Sequence, residues 1–188
     1  MKRILNLKLL VVVCCVAALA QTADTKSYSS NGLSFDYPSS WQIQDSSNDD
    51  AQQFTLAKAN SDVQIRMFVH KGRVTAEKLP DAKKAFIDPY IAATAQQFVA
   101  MGAKPAQVPD ASEIGGVKAD GVSINASLGG EAGAAKIYWA VVGNRVVVLT
   151  LFGPDKEMKK LMPAWDQIRT SLKVIDPKAT PSPKSSPE

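Results

Sequence analysis

Val146-Val147-Val148-Leu149-Thr150-Leu151-Phe152 is apolar at almost every position. A strand with one wet face alternates apolar and polar residues, so a run without alternation needs cover on both of its faces. Gly143-Asn144 joins this run to the one before it, Ala134 to Val142, as a two-residue hairpin turn with Gly at its first central position. A mainly antiparallel sheet covered on both faces calls for helices above and below. The sequence offers two.

The first helix lies between Thr75 and Met101. Ile91, Ala95 and Phe98 recur at helical spacing with Tyr90 alongside, a pattern of core packing. Asp88-Pro89 reads as an N-cap followed by Pro at the first helical position, with a shorter helix from Asp81 to Ile87 before it. Gly102 reads as the residue just past the end. The second helix runs from Pro154 to Leu172, with Met158, Leu161, Met162, Trp165, Ile168 and Leu172 on one stripe. Pro163 removes an intrahelical hydrogen bond there and predicts a kink or break near Leu161 to Pro163.

The remaining strands follow from alternation. Gln53 to Ala57 and Asp62 to His70 form a pair around a turn at Asn60-Ser61. Lys104 to Asp110, with Pro105 and Pro109, reads as a connector. A strand from about Glu113 to Leu128 follows, in which Val117 and Ala119 have one parity and Val122, Ile124 and Ala126 the other, so a bulge is predicted near Asp120-Gly121. With the opening strand below, the expectation is an α+β fold, an α/β/α sandwich with a central sheet of about six strands and helices on both faces.

In Gly32-Leu33-Ser34-Phe35-Asp36-Tyr37-Pro38-Ser39-Ser40-Trp41, Leu33, Phe35 and Tyr37 alternate with Ser34 and Asp36, the period of a half-buried strand. Pro38 ends it, and Pro38-Ser39-Ser40 reads as a turn returning Trp41 to the same layer. Tyr28, Gly32-Leu33-Ser34-Phe35, Tyr37-Pro38 and Trp41 resemble the opening of the PsbP-like family, and the resemblance extends in outline over about residues 25–175. It implies an α/β/α sandwich shared with the Ran-release factor. Its matching positions are apolar, Gly and Pro, so no functional residue of that family is carried onto this chain.

Residues 1–20 have the parts of a cleaved signal peptide: Lys2, Arg3 and Lys8, an apolar run from Leu9 to Leu19, and Ala18-Leu19-Ala20 as the cleavage site. The apolar run is short for a membrane span of about 20 residues, so no stable span is expected after cleavage. Left in place, the segment would tether a structural protein to the membrane. Cys14 and Cys15 lack the small residue that lipid attachment wants ahead of them, and both leave with the segment, as does most of the formal charge of +4. The mature chain then offers no disulfide, Cys nucleophile or thiolate metal site. Its charges are interspersed, and nucleic acid is not an expected partner. Residues 21–175 read as a single domain, and 176–188, with Pro177, Pro181, Pro183 and Pro187, as a disordered Pro/Ser-rich tail.

Chemistry is sparse. His70 is the only histidine, so a Ser-His-Asp or two-histidine zinc arrangement would have to be built around it alone. The acidic loop Asp45 to Asp50 lacks the EF-hand pattern and reads as solvated rather than calcium-binding. No phosphate-cradling loop or cofactor fingerprint is present, and no cofactor is expected. The reading is a secreted or periplasmic, non-catalytic binding or accessory domain for an envelope protein or a small ligand. The alternative is an envelope hydrolase or lyase using carboxylates such as Asp36, Asp120 and Glu131 with Ser, assembled by the fold. The candidate binding residues are Arg66, Phe68 and His70. They share a face opposite Val63, Ile65, Met67 and Val69, and form an aromatic centre with a charged rim. The plainer alternative docks Phe68 under a helix while its neighbours reach solvent.

Export makes the first prediction. The exported protein should begin within a few residues of Gln21 and carry no thiol, as read by intact mass and thiol labelling. One labelled cysteine per chain in the soluble fraction would rule this out.

Overall fold

The computed structural model describes residues 24–175. The predicted signal peptide and the Pro/Ser-rich tail lie outside the described residues. The chain opens with a hairpin, β1 (Thr25–Ser30) and β2 (Leu33–Pro38), and continues through β3 (Trp41–Asp45), β4 (Ala51–Lys58) and β5 (Gln64–His70). A helical segment follows: α1 (Leu79–Ala82), a π-turn over Lys83–Ile87, and α2 (Asp88–Ala100). Next come β6 (Ala106–Ile114), β7 (Val117–Leu128), β8 (Glu131–Val142) and β9 (Arg145–Pro154), then α3 (Asp155–Ser171) and the short β10 (Lys173–Val174).

Seven strands form one antiparallel sheet in the order β3-β4-β5-β9-β8-β7-β6, and β1-β2-β10 form a second sheet of three. The expected two-faced strand, β9, lies between β5 and β8. Val147, Leu149 and Leu151 enter one core with Leu33, Phe35, Trp165 and Ile168. Val146 and Val148 enter the other with Ile91, Ala95 and Phe98. The layering is therefore corrected in two respects: α3 shares its face with a second sheet, and the large sheet has seven strands rather than about six. Width supplies the reason. A helix about 10 Å across spans roughly two strands set about 4.8 Å apart, so α3 alone leaves most of a seven-stranded face bare.

Several local expectations are corrected in the same way. The turn at Ser39-Ser40 does not return Trp41 to the layer of β2; it carries the chain across the core to the large sheet, where Trp41 pairs with Lys58. The connector at Lys104 to Asp110 is mostly strand β6, with Pro109 opposite Val122. β6 has a neighbour on one side only, and an edge strand tolerates a residue without N–H. Gly115-Gly116 divides the expected single strand in two, and the register from Val117 to Leu128 runs unbroken against both neighbours, with no bulge. The change of parity has another cause: Ala119 enters one core, Ile124 and Ala126 the other.

The helices differ from expectation as well. Asp88 is itself helical and does not cap; its N–H bonds to the Lys83 carbonyl five residues back. Pro89 has no N–H and its ring crowds the preceding turn, and the wider π-turn takes up the mismatch. Gly102 does close α2, with positive φ and with the Ala103 N–H on the Phe98 carbonyl. α3 continues through Pro163 without a break. Pro163 and Lys159, whose carbonyl loses its partner, are both on the exposed side, where water serves instead. Among the described residues no helix is long and apolar enough to cross a membrane.

The two sheets are joined by a buried polar clasp at one end. Arg145 Nη1 donates to the Asn31 carbonyl at 3.0 Å and to Gln52 Oε1 at 3.2 Å, and Gln52 Nε2 donates to the Ser30 carbonyl at 3.1 Å. Beside it, a Cβ on Gly143 would fall 2.0 Å from the Val174 carbonyl oxygen, so only glycine lets the β8–β9 turn meet β10.

Trp41 is 4% exposed within the core between the sheets. Trp41→Ala should cost about 3–5 kcal/mol, the range for aromatic truncation in a core. Denaturant melts measure it, and a loss below about 1 kcal/mol, typical of an average substitution, would mean that the indole adds little to the packing.

Candidate functional site

The helical segment covers β7, β8 and β9 and stops short of the outer strands. On the same side of the sheet, β4 presents Gln53 and Thr55, both partly exposed. Pairing sets Thr55 opposite Arg66 and Arg66 opposite Thr150; in the next row Gln53 faces Phe68, and Phe68 faces Val148. Over these rows the π-turn brings Phe86, its ring centroid 5.5 Å from that of Phe68. Tyr90 reaches Thr150 with 2.9 Å between the hydroxyl oxygens. Between helix and sheet lies a cavity of about 280 Å3, apolar over most of its wall, with Ser46, Gln53 and Thr55 at its polar side.

The guanidinium of Arg66 is held on two sides. Its Nε and Nη2 donate to Gln64 Oε1 at 3.3 and 3.2 Å, and its Cζ sits 5.3 Å above the centre of the Phe152 ring. None of the ion pairs among the described residues includes Arg66.

The three candidates occupy different places. Arg66 and Phe68 line the cavity. His70 lies outside the lining, stacked on Phe86 at 5.5 Å and 10°, with Nδ1 3.2 Å from the Gly72 carbonyl oxygen. Phe68 also docks under the helical segment, against Phe86, as the plainer alternative expects. Phe86, Tyr90 and Thr150 complete the wall and were not among the candidates. Thr150 carried a signal: it is the one polar residue in the run Val146 to Phe152.

The carboxylates considered for catalysis are not brought together. Asp36 lies in the small sheet and accepts from the Ser27 hydroxyl at 2.6 Å. Asp120 and Glu131 sit at opposite ends of the β7–β8 ladder. In the acidic loop, Asp45 Oδ1 accepts from the Ser47 N–H at 2.8 Å and Asn48 Oδ1 from the Asp50 N–H at 3.0 Å, while the Lys71 amino group rests on the Asn48 carbonyl. Among the described residues, no three His, Cys, Asp or Glu side chains gather where they could hold a metal ion.

No protein-family model matches the chain, and no curated protein sequence matches it. Solved structures do. The solution structure of cyanobacterial PsbP (CyanoP) from Synechocystis sp. PCC 6803 overlays with a TM-score of 0.52 at 13% identity, over 82% of this chain and 95% of that one. The chain has a PsbP-like fold. A crystal structure from Bacteroides thetaiotaomicron VPI-5482 also overlays with a TM-score of 0.52 at 13% identity, covering 83% of this chain and 50% of that one, so this chain spans half of that protein. LpqN, described as involved in cell envelope biogenesis of Mycobacterium tuberculosis, matches at 18% identity over 81% of this chain and 91% of that one, with a TM-score of 0.41. At these identities the likeness concerns the fold alone.

A second polar cluster lies on the opposite face of this PsbP-like sheet. The Tyr138 ring lies over Gly121, where an added Cβ would come within 2.4 Å of it, and beside Trp165 at 5.8 Å. Its hydroxyl donates to Asp110 Oδ2 at 2.8 Å, and Lys136 Nζ stands 4.0 Å from the same oxygen. Burial first, then the bond and charge of Asp110, raise the phenol well above its ordinary pKa. The unfolded phenol ionises near pH 10 while the folded one stays neutral, so this contribution is complete below that pH and is lost as pH rises beyond it. Wild type should therefore lose stability more steeply than Tyr138→Phe between about pH 9 and pH 11. Denaturant melts at the two pH values compare the slopes, and equal slopes would exclude the linkage.

Proposed function

We propose that the chain is a secreted or periplasmic, non-catalytic binding domain that holds a small molecule in the cavity between the helical segment and β4, β5 and β9. One observation carries this reading: a cavity of about 280 Å3, walled by Phe68, Phe86, Tyr90 and Val148, is bordered on one side by a few polar groups and Arg66. Small-molecule sites have this composition, mostly apolar with a few placed polar groups, and start at about 300 Å3. The scattered Asp36, Asp120 and Glu131 give the alternative, a hydrolase or lyase, no assembled acid–base pair among them. Export rests on the expected signal peptide, and the PsbP-like likeness adds a scaffold rather than a ligand.

The neutral fluorescent probe N-phenyl-1-naphthylamine tests the cavity. Thr55 lines it from a partly exposed strand position, where a tryptophan suits the strand and would take up space in the cavity. Wild type should enhance the probe's fluorescence saturably, and Thr55→Trp should bind at least about tenfold more weakly, as expected when a buried contact of some 1.4 kcal/mol is lost, while melting at an unchanged temperature. Absence of saturable binding by wild type, or equal binding by a folded Thr55→Trp, would count against the reading.

A further inference from the structure

We infer that the ligand of this cavity is a small planar aromatic monoanion, its carboxylate held by Arg66 and its ring packed against the Phe68–Phe86 pair; this rests on the binding role proposed above.

The charge of the ligand follows from the charge of the wall. Arg66 is the only ionisable side chain of the lining other than the Tyr90 phenol, and no Asp or Glu borders the space. Of the two cations on the π-turn, Lys83 is committed to Asp88 and lies over the Trp139 ring, and Lys84 is exposed and outside the lining. His70 is turned to the Gly72 carbonyl. One cation therefore faces the cavity without a countercharge.

The guanidinium is also pre-positioned. Gln64 takes Nε and Nη2, Phe152 supports the flat face, and Nη1 makes no hydrogen bond among the described residues. A planar fork with its conformation already fixed loses little entropy on meeting a carboxylate. Beside an apolar wall such a charge-assisted bond is worth more than in water. A single cation matches a single negative charge, so a phosphomonoester dianion would leave charge uncompensated.

The ring preference follows from the rest of the wall. Phe68 and Phe86 pack on one another at 5.5 Å and 43°, a favourable aromatic contact, and together present a continuous ring surface to the cavity they both line. One hydrogen bond joins the Tyr90 and Thr150 hydroxyls, 2.9 Å apart, in the same row of the sheet as Arg66. Arg66 lies opposite Thr150 and two residues along β5 from Phe68, which sets charge and ring surface at adjacent positions on one face of the sheet. The volume admits one or two fused rings and no long chain.

2-Naphthoate and its neutral counterpart 2-naphthamide, titrated by displacement of N-phenyl-1-naphthylamine, separate charge from ring. Wild type should prefer the carboxylate by about 10- to 100-fold, the worth of a hydrogen bond to a charged group. Arg66→Met should abolish the preference while binding the amide within about twofold of wild type and melting normally, and Arg66→Lys, keeping the charge without the fork, should fall between the two. If the probe and the amide bind but the carboxylate has no advantage, or if Arg66→Met keeps that advantage, the ligand class is wrong and the binding role stands. If wild type binds neither the probe nor either naphthalene, the binding role itself fails.

Discussion

The fold depends on one constraint: β9 is apolar on both faces, and the sheet built around it is wider than any single helix. Each face therefore needs more cover than one helix gives. On the first face α3 is joined by the β1-β2-β10 sheet, and aromatic contacts carry the seam, with Tyr28 5.1 Å from Phe35 and 4.8 Å from Phe54. On the second face only the helical segment is present, and the cover ends at β5. The polar residues of β4 on that side, Gln53 and Thr55, are what a strand carries when no layer lies over it.

Two kinds of interaction keep the first face closed. Burial of Leu33, Phe35, Trp41, Phe54 and Trp165 supplies most of the attraction, roughly 25 cal/mol per Å2 of apolar surface removed from water. Attraction of that kind has no direction, and the clasp of Arg145, Gln52 and the carbonyls of Ser30 and Asn31 adds one. The Arg145 and Gln52 side chains are buried, so a slip of the hairpin against the large sheet would strand them without partners, and each stranded group costs about 1–3 kcal/mol. The contact of Gly143 with β10 pins the other edge of the hairpin's sheet to the β8–β9 turn, and the bond from the Gly115 N–H to the Arg169 carbonyl at 2.7 Å ties the end of α3 to the β6–β7 turn.

What the sequence disclosed follows from the same physics. Periods of burial were legible wherever one residue in two or in four is apolar, which covers β2, β4, β5, β8, β9, α2 and α3. The edge strand β6 was not, because most of its side chains are exposed and it contains Pro109, so neither alternation nor propensity marks it. A sharper signal was present in Gly115-Gly116 between two long segments, a hairpin pair. β1 was hidden for a similar reason, and Asn31-Gly32 was its marker. The bulge near Gly121 came from reading a change of parity as an irregularity; a strand buried on both faces needs none. The small sheet was beyond reach, since β10 contributes two residues and its pairing depends on how wide the other sheet is. As for the site, the odd company of Arg66 and Phe68 on one face was visible in the sequence. Phe86 and Tyr90 were not, because their place over the sheet depends on the π-turn.

That π-turn connects the covering problem to the cavity. Pro89 cannot donate to the residue four back, and the helix responds by widening over Lys83–Ile87, which shifts the phase of everything before it relative to α2. Phe86 consequently leans toward β5, packing at a tilt against Phe68 and stacking on His70, while Tyr90, just beyond the proline, drops onto Thr150 of β9. The two aromatics straddle the line where helix cover ends, and the gap between them is the cavity. An arginine placed deeper in this core would face a heavy desolvation cost; at this boundary Arg66 keeps part of its hydration and still faces an apolar wall. The position of the site is thus set by where a single helix runs out of sheet to cover, and its charge by Arg66 on β5, the strand at which that cover ends.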